Sequence, residues 1–390
     1  MKRLRKIIFW CHLPVGVIAG IVILIMCVTG VLLAYEKQII SWADTRAYRA
    51  APPTPETRRL PVETLLERAR EARGSNPSAI TLKSDASSPA EIAFGRETTL
   101  FVNPYSGQVL GEGSPRVRSF FRSVTDWHRW LGAKGDNRNV ARAITGASNL
   151  GFLFLVISGF YLWWPRNWNL KAVRSVIWFR RGLPARARDF NWHNTIGFWC
   201  APALFLVVLS AVVISYTWAG NLVYRIVGET PPAPRAANQQ TQNPSSKAPP
   251  TNLDAAWLVA EQQVTDWRSI SLQLPTSASA PLTFNIDRGT GGQPQKRGQL
   301  VLDRTTGAVT KWEPFSSQTR GRQLRSILRF THTGEVAGIV GQTIAAIVSL
   351  GGAGLTFTGL ALAFRRLYAW FARRASRRTT VGMETAKDTP

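Results

Sequence analysis

The chain has 390 residues, and its 48 lysine and arginine residues against 23 acidic residues give a formal net charge of +25 at pH 7. Four stretches carry no charged residue, and each exceeds the ~20 apolar residues that cross a bilayer core; they are 7–34, 143–164, 195–224 and 336–364. These stretches exclude a soluble enzyme. They also exclude nucleic-acid binding as the reason for the basic composition, because membrane topology already explains an excess of lysine and arginine.

Positive charge predicts how the spans are oriented. Lysine and arginine concentrate at the N-terminus, in residues 166–192 and in the tail 365–390, whereas the two long segments between spans are mixed in sign. Because cytoplasmic segments carry the excess of lysine and arginine, we expect both termini in the cytoplasm and both long segments outside. In a Gram-negative bacterium, the chain would lie in the inner membrane with its large loops in the periplasm.

The two outer segments repeat one order of elements, a helix followed by strands and a final hairpin with glycine in its turn. The first has a predicted helix over 62–73 and strands over 79–83, 91–94, 98–102 and 108–110. The second has a predicted helix over 253–264 and strands over 269–274, 282–287, 300–303 and 308–312. Proline-rich or polar stretches at 51–56 and 230–251 are expected to be linkers.

The predicted fold class is therefore a membrane protein, a four-helix transmembrane bundle with two external α+β modules. In chain order, the predicted parts are transmembrane helix 1 (7–34), external module 1 (35–122), an outer-face histidine segment (123–142), transmembrane helix 2 (143–165), a basic cytoplasmic loop (166–192), transmembrane helix 3 (193–224), a linker with external module 2 (225–329), transmembrane helix 4 (330–364) and a basic cytoplasmic tail (365–390).

The chain has four histidines, and each lies near the start of a span. With the predicted topology, His12 and His193 lie near the cytoplasmic face, and His128 and His332 lie near the outer face. A single histidine at a helix end is usually an interfacial or capping side chain. Here all four histidines of the chain lie at span starts, two near each membrane face, and this favours a functional role. Two imidazoles per side suit haem iron held without covalent attachment, and the chain has no Cys-x-x-Cys-His motif for covalent haem.

Small and hydroxylated residues accompany these histidines. Gly16, Gly132 and Gly197 each follow a histidine by four residues, one helical turn away. They would leave room for a flat porphyrin or would let helices pack closely, and the sequence does not separate the two. Each span also ends near a serine or threonine, and His12 and His193 precede such hydroxyls, those of Thr29 and Ser210, by the same interval.

Arginines and tryptophans lie beside the outer and inner faces. Arg122, Arg129 and Arg329 flank the outer histidines. They would pair with haem propionates or attract an anionic substrate, or they form a lipid-facing basic rim. Trp163 and Trp164 end the second span and are assigned to the interfacial aromatic belt.

These signatures resemble those of PepSY-associated transmembrane proteins, and in particular the inner-membrane ferrisiderophore reductases of that family. The similar features are the four-span layout, the His-x3-Gly and Thr-Gly signatures, and the Tyr-Leu-Trp-Trp-Pro run at 161–165. The ends of both modules, at 103–111 and 302–309, are similar as well. The resemblance covers nearly the whole chain apart from the linkers and the tail.

The resemblance implies an enzyme with two b-type haems per chain that carries electrons outward and reduces ferric siderophore iron to ferrous iron. It implies that His12 and His193 bind the iron of an inner haem, and that His128 and His332 bind the iron of an outer one. After His332, glycine follows at two and six residues rather than four, so the glycine role is in doubt there. The sequence has no flavin or dinucleotide fingerprint, so electrons would come from a separate cytoplasmic reductase or from quinol.

Two other functions fit parts of the sequence. The modules alone are equally consistent with a non-catalytic envelope protein that binds or inhibits a protein partner, although this leaves the placement of the histidines unexplained. A quinol-oxidising b-type cytochrome with another periplasmic acceptor would share the haems, and only substrate assays separate it from a ferric-chelate reductase.

Overall fold

A computed structural model of the chain describes residues 2–48, 50, 52–54, 56–95, 98–164, 169–233, 252–275, 277 and 280–385. Parts of several predicted segments lie outside the described residues. They are positions 51 and 55 of the first linker, most of the second linker at 230–251, Pro165 with the start of the basic loop, and the end of the tail.

The α-helices, in chain order, are α1 Lys2–Leu33, α2 Glu36–Thr45, α3 Val62–Arg73, α4 Pro115–Trp130, α5 Asn137–Trp163, α6 Leu170–Ile177, α7 Ala185–Ser215, α8 Thr217–Ile226, α9 Leu253–Gln263, α10 Arg320–His332 and α11 Gly338–Thr385. The strands are β1 Ala79–Lys83, β2 Ala90–Phe94, β3 Thr98–Val102, β4 Val109–Gly111, β5 Ser269–Gln273, β6 Leu282–Asp287, β7 Arg297–Leu302 and β8 Val309–Pro314.

The described residues contain four helices long and apolar enough to cross a membrane, α1, α5, α7 and the segment around α11. They form a closed ring, in which α1 and α7 each pack against both α5 and α11. A continuous helix satisfies its own backbone polar groups, as a lipid environment requires. Apolar side chains such as Ile18 and Phe357 stay exposed on the outside of the ring, where lipid covers them. The protein is a multi-pass membrane protein.

The two ends of the bundle differ. Both strand-bearing segments, between α1 and α5 and between α7 and α11, emerge at one end, which we call the sheet end. The other end, the basic end, carries the start of α1, α6 between α5 and α7, and Arg365 of α11. Buried carboxylates tie helices together at each end. Asp189 of α7 accepts a bond from Arg365 of α11 at the basic end (3.2 Å), and Asp44 of α2 pairs with Arg118 of α4 at the sheet end (2.8 Å).

Short helices replace parts of the predicted spans. The third span ends at Ser215, because Tyr216 adopts an extended backbone, and α8 follows as a separate helix. His128 lies in the last turn of α4, and His332 is the last residue of α10, so neither belongs to the span that follows it. After α4 the chain turns through Leu131 and Gly132, both with positive φ.

The two predicted modules form one antiparallel sheet of eight strands, in the order β4-β3-β2-β1-β5-β6-β7-β8. The two halves meet where β1 pairs with β5, from Ala79 opposite Gln273 to Lys83 opposite Ser269. Helices α3 and α9 pack on the sheet, and a single apolar core runs through both halves, including Leu65, Ile80 and Phe284. Burial of this shared surface explains why neither half forms a separate domain.

The two module helices cap each other. Glu63 of α3 accepts a hydrogen bond from the backbone N–H of Leu253 (2.7 Å), the first residue of α9. Asp254 of α9 accepts one from the backbone N–H of Val62, the first residue of α3. Each carboxylate therefore satisfies an N–H group that has no partner within its own helix, and each also lies at the positive end of the partner helix.

We call the eight-stranded sheet together with α3 and α9 the sheet domain. We expect Glu63→Ala and Asp254→Ala each to destabilise it by about 1 kcal/mol, the usual loss for a helix cap. In hydrogen exchange of the full-length protein in detergent, amides of β1 and β5 should then exchange about fivefold faster. Glu67→Ala, on the exposed side of α3, is the matched control. Equal exchange in all three variants would show that the reciprocal caps contribute nothing to stability.

Candidate functional site

The structure brings His128 and His332 together at the sheet end of the bundle. Their ring centroids are 6.1 Å apart, with 50° between the ring planes. Burial lowers the pKa of His128 to about 4, with a further contribution from the nearby His332. Burial also lowers the pKa of His332. Both imidazoles are therefore neutral at pH 7, which is the form that binds a metal. We call them the sheet-end pair.

Each imidazole of the sheet-end pair is anchored through Nδ1 by a neighbouring span. The Nδ1 of His128 lies 2.9 Å from the hydroxyl oxygen of Thr29 in α1. Because that hydroxyl donates its own proton to the carbonyl of Ile25 (2.6 Å), its oxygen accepts from Nδ1–H. The Nδ1 of His332 donates to the carbonyl of Val207 in α7 (3.0 Å). In both rings the proton is thus on Nδ1, and the lone pair of Nε2 is available to a metal.

His12 and His193, the basic-end pair, repeat this arrangement inside the bundle. The Nδ1 of His12 lies 2.8 Å from the hydroxyl of Ser158 in α5, which donates to the carbonyl of Phe154. The Nδ1 of His193 lies 3.0 Å from the hydroxyl of Thr358 in α11, which donates to the carbonyl of Gly354 (2.7 Å). These bonds again leave Nε2 free.

The group that anchors each histidine lies on a different helix from that histidine. The equal spacing of His12 and His193 from hydroxyls in the sequence therefore does not reflect a contact within one helix, since Thr29 bonds His128 and not His12. Ser210, at the position equivalent to Thr29, donates to the carbonyl of Val207 (2.8 Å). His332 bonds that same carbonyl directly, so a backbone group replaces the hydroxyl in the second half.

A cavity of about 920 Å³ lies between the four spans, and both histidines of the basic-end pair line it. Gly16 and Gly197 also line it. A Cβ added at either glycine would meet no atom closer than 3.6 Å, so helix packing alone does not require glycine there. Gly159 and Gly359 lie against the rings instead, since their added Cβ atoms would lie 3.5 Å from His12 and 3.3 Å from His193.

Gly132 does not share a helix face with His128, contrary to the sequence prediction. Helix α4 ends at Trp130, and Gly132 lies beyond it with a positive φ of 76°. A Cβ there would lie 3.1 Å from the ring of Trp127. Gly132 is therefore explained by the turn that ends α4.

Charged and polar groups border the basic-end cavity, and the sequence interpretation missed them. Arg5, Lys6, Arg186 and Arg366 line it at the basic end. In the sequence these residues belong to the basic clusters that flank the spans, and membrane topology alone also explains those clusters.

Trp163 lines the cavity as well and does not lie in the interfacial belt to which it was assigned. Its ring stacks on that of Phe198, with the ring centroids 4.6 Å apart. Its buried indole N–H has no hydrogen-bond partner among the described residues.

Arginines crowd around the sheet-end pair. The pKa of Arg129 is lowered first by burial and then by the charges of Arg142, Arg329 and Arg138. The guanidinium groups of Arg129 and Arg138 both lie 4.5 Å from the ring centre of Trp130. Arg122 is exposed on α4, and Arg329 is exposed on α10. The sheet end therefore carries a concentrated positive charge that would attract an anion.

The four histidines thus form two pairs at opposite ends of one bundle, and each pair offers two nitrogen ligands. Two nitrogens of this kind complete the coordination of an iron whose other four ligands come from a porphyrin. No curated protein matches the chain. Residues 9–366, which contain all four histidines and the whole sheet, match the family described as PepSY-associated TM region. The chain belongs to the PepSY-associated TM region family.

Proposed function

We propose that the protein is an electron-transfer enzyme of the bacterial inner membrane, with two b-type haems, that reduces ferric siderophore iron in the periplasm. The observation that carries this proposal is the arrangement of the histidines. They form two pairs at opposite ends of one bundle, and every Nδ1 is hydrogen-bonded while no described residue bonds any Nε2.

The spacing of the sheet-end pair fits haem iron. An imidazole nitrogen binds a metal at about 2 Å. Its ring centre lies about 1 Å farther back, so two imidazoles that would hold one iron between them have ring centres about 6 Å apart. The ring centroids of His128 and His332 are 6.1 Å apart. Arg129 and Arg329 would pair with propionates there.

The basic-end cavity fits a second haem. Its volume of about 920 Å³ lies within the range of about 300–1,000 Å³ that is usual for cofactor pockets. Gly16 and Gly197 widen it beside the two ligands, and the unpartnered indole N–H of Trp163 offers a hydrogen bond to a bound group. Arg5 and Arg366 lie where propionates would need cations.

When bound, the haems would supply one-electron redox chemistry at both ends of the bundle. The protein's own contribution is to hold and orient. Thr29, Ser158, Thr358 and the carbonyl of Val207 fix the ligand tautomer and raise the basicity of the free nitrogen. The apolar walls of the spans exclude water from the ligands and thereby influence their reduction potential.

Charge distribution supports the direction of transfer. The basic end would face the cytoplasm, as the excess of lysine and arginine near the spans favours. Electrons that move from this end to the sheet end run with an inside-negative membrane potential, which contributes roughly 2.3 kcal/mol per charge per 100 mV. The electron donor would be a cytoplasmic reductase or quinol, and the acceptor would be a ferric siderophore at the sheet end.

We expect the purified protein to contain about two b-type haems per chain, and each single His→Ala variant to retain about one. Absorption spectra of oxidised and dithionite-reduced protein, with haem counted by pyridine extraction, measure this. His12→Ala and His128→Ala serve as controls for each other, because each should lose only the haem at its own end of the bundle. Colourless wild-type protein from haem-sufficient cells would instead favour a partner-binding envelope protein.

The reduced wild-type protein should release ferrous iron from a ferric siderophore, trapped by a ferrous-specific chelator, and His128→Ala should not. The comparison depends on the sheet end, because His128→Ala is expected to keep the basic-end haem. If both haems are present but no ferrous iron forms with any ferric chelate, the protein is a b-type cytochrome with a different acceptor.

Removing an anchoring hydroxyl should weaken haem binding without changing the shape of the site. Thr358→Val is isosteric but cannot hydrogen-bond His193. Loss of the hydrogen bond to the non-ligating nitrogen of a histidine ligand typically costs 10–100-fold in metal affinity. Thr358→Ser should restore binding. Thr343→Val, on the same helix, is the control, because Thr343 does not line the cavity and its hydroxyl bonds the carbonyl of Ile339 and the hydroxyl of Tyr35. Equal haem retention and equal reduction potentials in Thr358→Val and Thr343→Val would show that the anchor has no such role.

Filling the basic-end cavity should exclude one haem. Gly16→Val adds methyl groups where the protein itself leaves room, so the bundle should fold while the haem count falls from about two to about one per chain. Ala72→Val, at an exposed helical position of α3, controls for handling of the variant protein. An unchanged haem count in Gly16→Val would mean that Gly16 does not border a bound haem.

A further inference from the structure

A second cavity, of about 650 Å³, lies in the sheet domain, away from the transmembrane bundle. The end of α9, the β6–β7 connection and the end of β8 enclose it. Its volume is within the range of small-molecule sites, about 300–1,000 Å³. We call it the sheet cavity.

The sheet cavity lies in the second half of the sheet, because that half has a longer connection between two of its strands. Residues 95–97 connect β2 to β3, whereas the longer segment 288–296 makes the equivalent connection from β6 to β7. The core and strand pairing of the second half run through β5 to β8 without this segment. The longer connection is therefore not needed to build the sheet, and it supplies Arg288, Gln295 and Lys296 to the cavity wall.

The same connection reaches the sheet-end pair. Gln295 donates a side-chain hydrogen bond to the carbonyl of Val336, in the turn that follows α10 (3.2 Å). Arg297, another residue of the cavity wall, lies over the ring of Phe330 at 5.9 Å. Phe330 is two residues before His332 in α10. The sheet cavity is thus joined to the helix that carries one of the proposed iron ligands.

The wall of the sheet cavity combines positive charge with aromatic rings. Arg288, Lys296 and Arg297 line it, and all three are exposed to solvent. Asp266 in the wall pairs with Arg288 at 3.7 Å, and the buried Asp287 beside it pairs with Arg297 at 3.2 Å. Lys296 therefore leaves the wall with a positive balance. Trp312 forms an aromatic side of the cavity, and its ring lies against Gly298, where any added Cβ would collide with it.

We propose that the sheet cavity binds the ferric chelate and favours anionic chelates with aromatic catecholate groups, a step that rests on the proposed function. Iron wrapped by catecholates is an anion with exposed aromatic rings, which Arg288, Lys296 and Trp312 suit through charge and stacking. Iron wrapped by hydroxamates has no net charge and no aromatic rings, so the same wall binds it weakly.

The test measures binding alone, with a gallium(III) catecholate chelate as the probe. Gallium(III) has the charge of ferric iron but is not reduced, so binding is read without any electron transfer. Titration of the full-length protein in detergent, by calorimetry, should give saturable binding. The double variant Arg288→Gln/Lys296→Gln should bind about tenfold more weakly or worse for each charge lost. Arg70→Gln, which removes an exposed charge from α3, should bind like wild type.

The outcomes separate this proposal from the proposed function. Binding of a gallium(III) hydroxamate chelate as tightly as the catecholate, or unchanged catecholate binding in the double variant, would overturn the sheet cavity as the selective site. Neither result would affect the haem count or the reduction of ferric chelates. Protein without haem that still binds the catecholate chelate, with loss in the double variant, would leave the sheet cavity standing and overturn the proposed function.

Discussion

The second nitrogen of each histidine is the constraint on which the rest of the structure depends. A polar imidazole within or beside a bilayer has to satisfy both ring nitrogens. Here a hydroxyl or carbonyl on a neighbouring helix accepts the Nδ1 proton in all four cases, so the other nitrogen remains available to a ligand. Three of the acceptors are hydroxyls, and Ser158 and Thr358 each bond a carbonyl of their own helix as well. The acceptor is thereby fixed in orientation before it meets the ring. The order of the four helices around the bundle follows from these contacts, because each span has to present its acceptor to a histidine on another helix.

Each histidine pair takes one member from each half of the chain. His12 and His128 belong to the first half, and His193 and His332 belong to the second. The sheet is joined in the same way, since β1 pairs with β5 across the boundary and the carboxylates of Glu63 and Asp254 cap each other's helices. Neither half contains a complete site or a closed core. The two halves therefore complete the histidine pairs and the core only together, and the interactions that join the halves in the sheet also connect the segments that carry the histidines.

Much of this architecture could be predicted from the sequence, because hydrophobic length and alternation are local properties. The four spans, the helix at 62–73 and most strands follow from residue pattern alone, and so does the grouping of the histidines by side. The fusion of the modules into one sheet could not be predicted, since the pairing of β1 with β5 is a contact between residues about 190 positions apart. The sequence marks the serine or threonine near the end of each span, but it does not show which histidine each hydroxyl bonds, because that depends on the order of the helices. Gly132 was misassigned because the end of α4 depends on the left-handed turn at Leu131, which has no strong sequence signal.

The two ends of the bundle carry their histidines on different kinds of helix. His12 and His193 lie within α1 and α7, so their backbone is fixed by the spans themselves. His128 and His332 lie at the ends of the short helices α4 and α10, and the bonds to Thr29 and to the carbonyl of Val207 attach them to the bundle. The chain on the far side of each short helix leads into the sheet domain. A rearrangement in that domain would therefore reach His332 through α10 and the contact between Arg297 and Phe330, but it would reach the basic-end pair only through the length of the spans. Under the proposed function, the pair that would receive electrons lies within the spans, and the pair that would pass them on is connected to the domain that would meet the chelate.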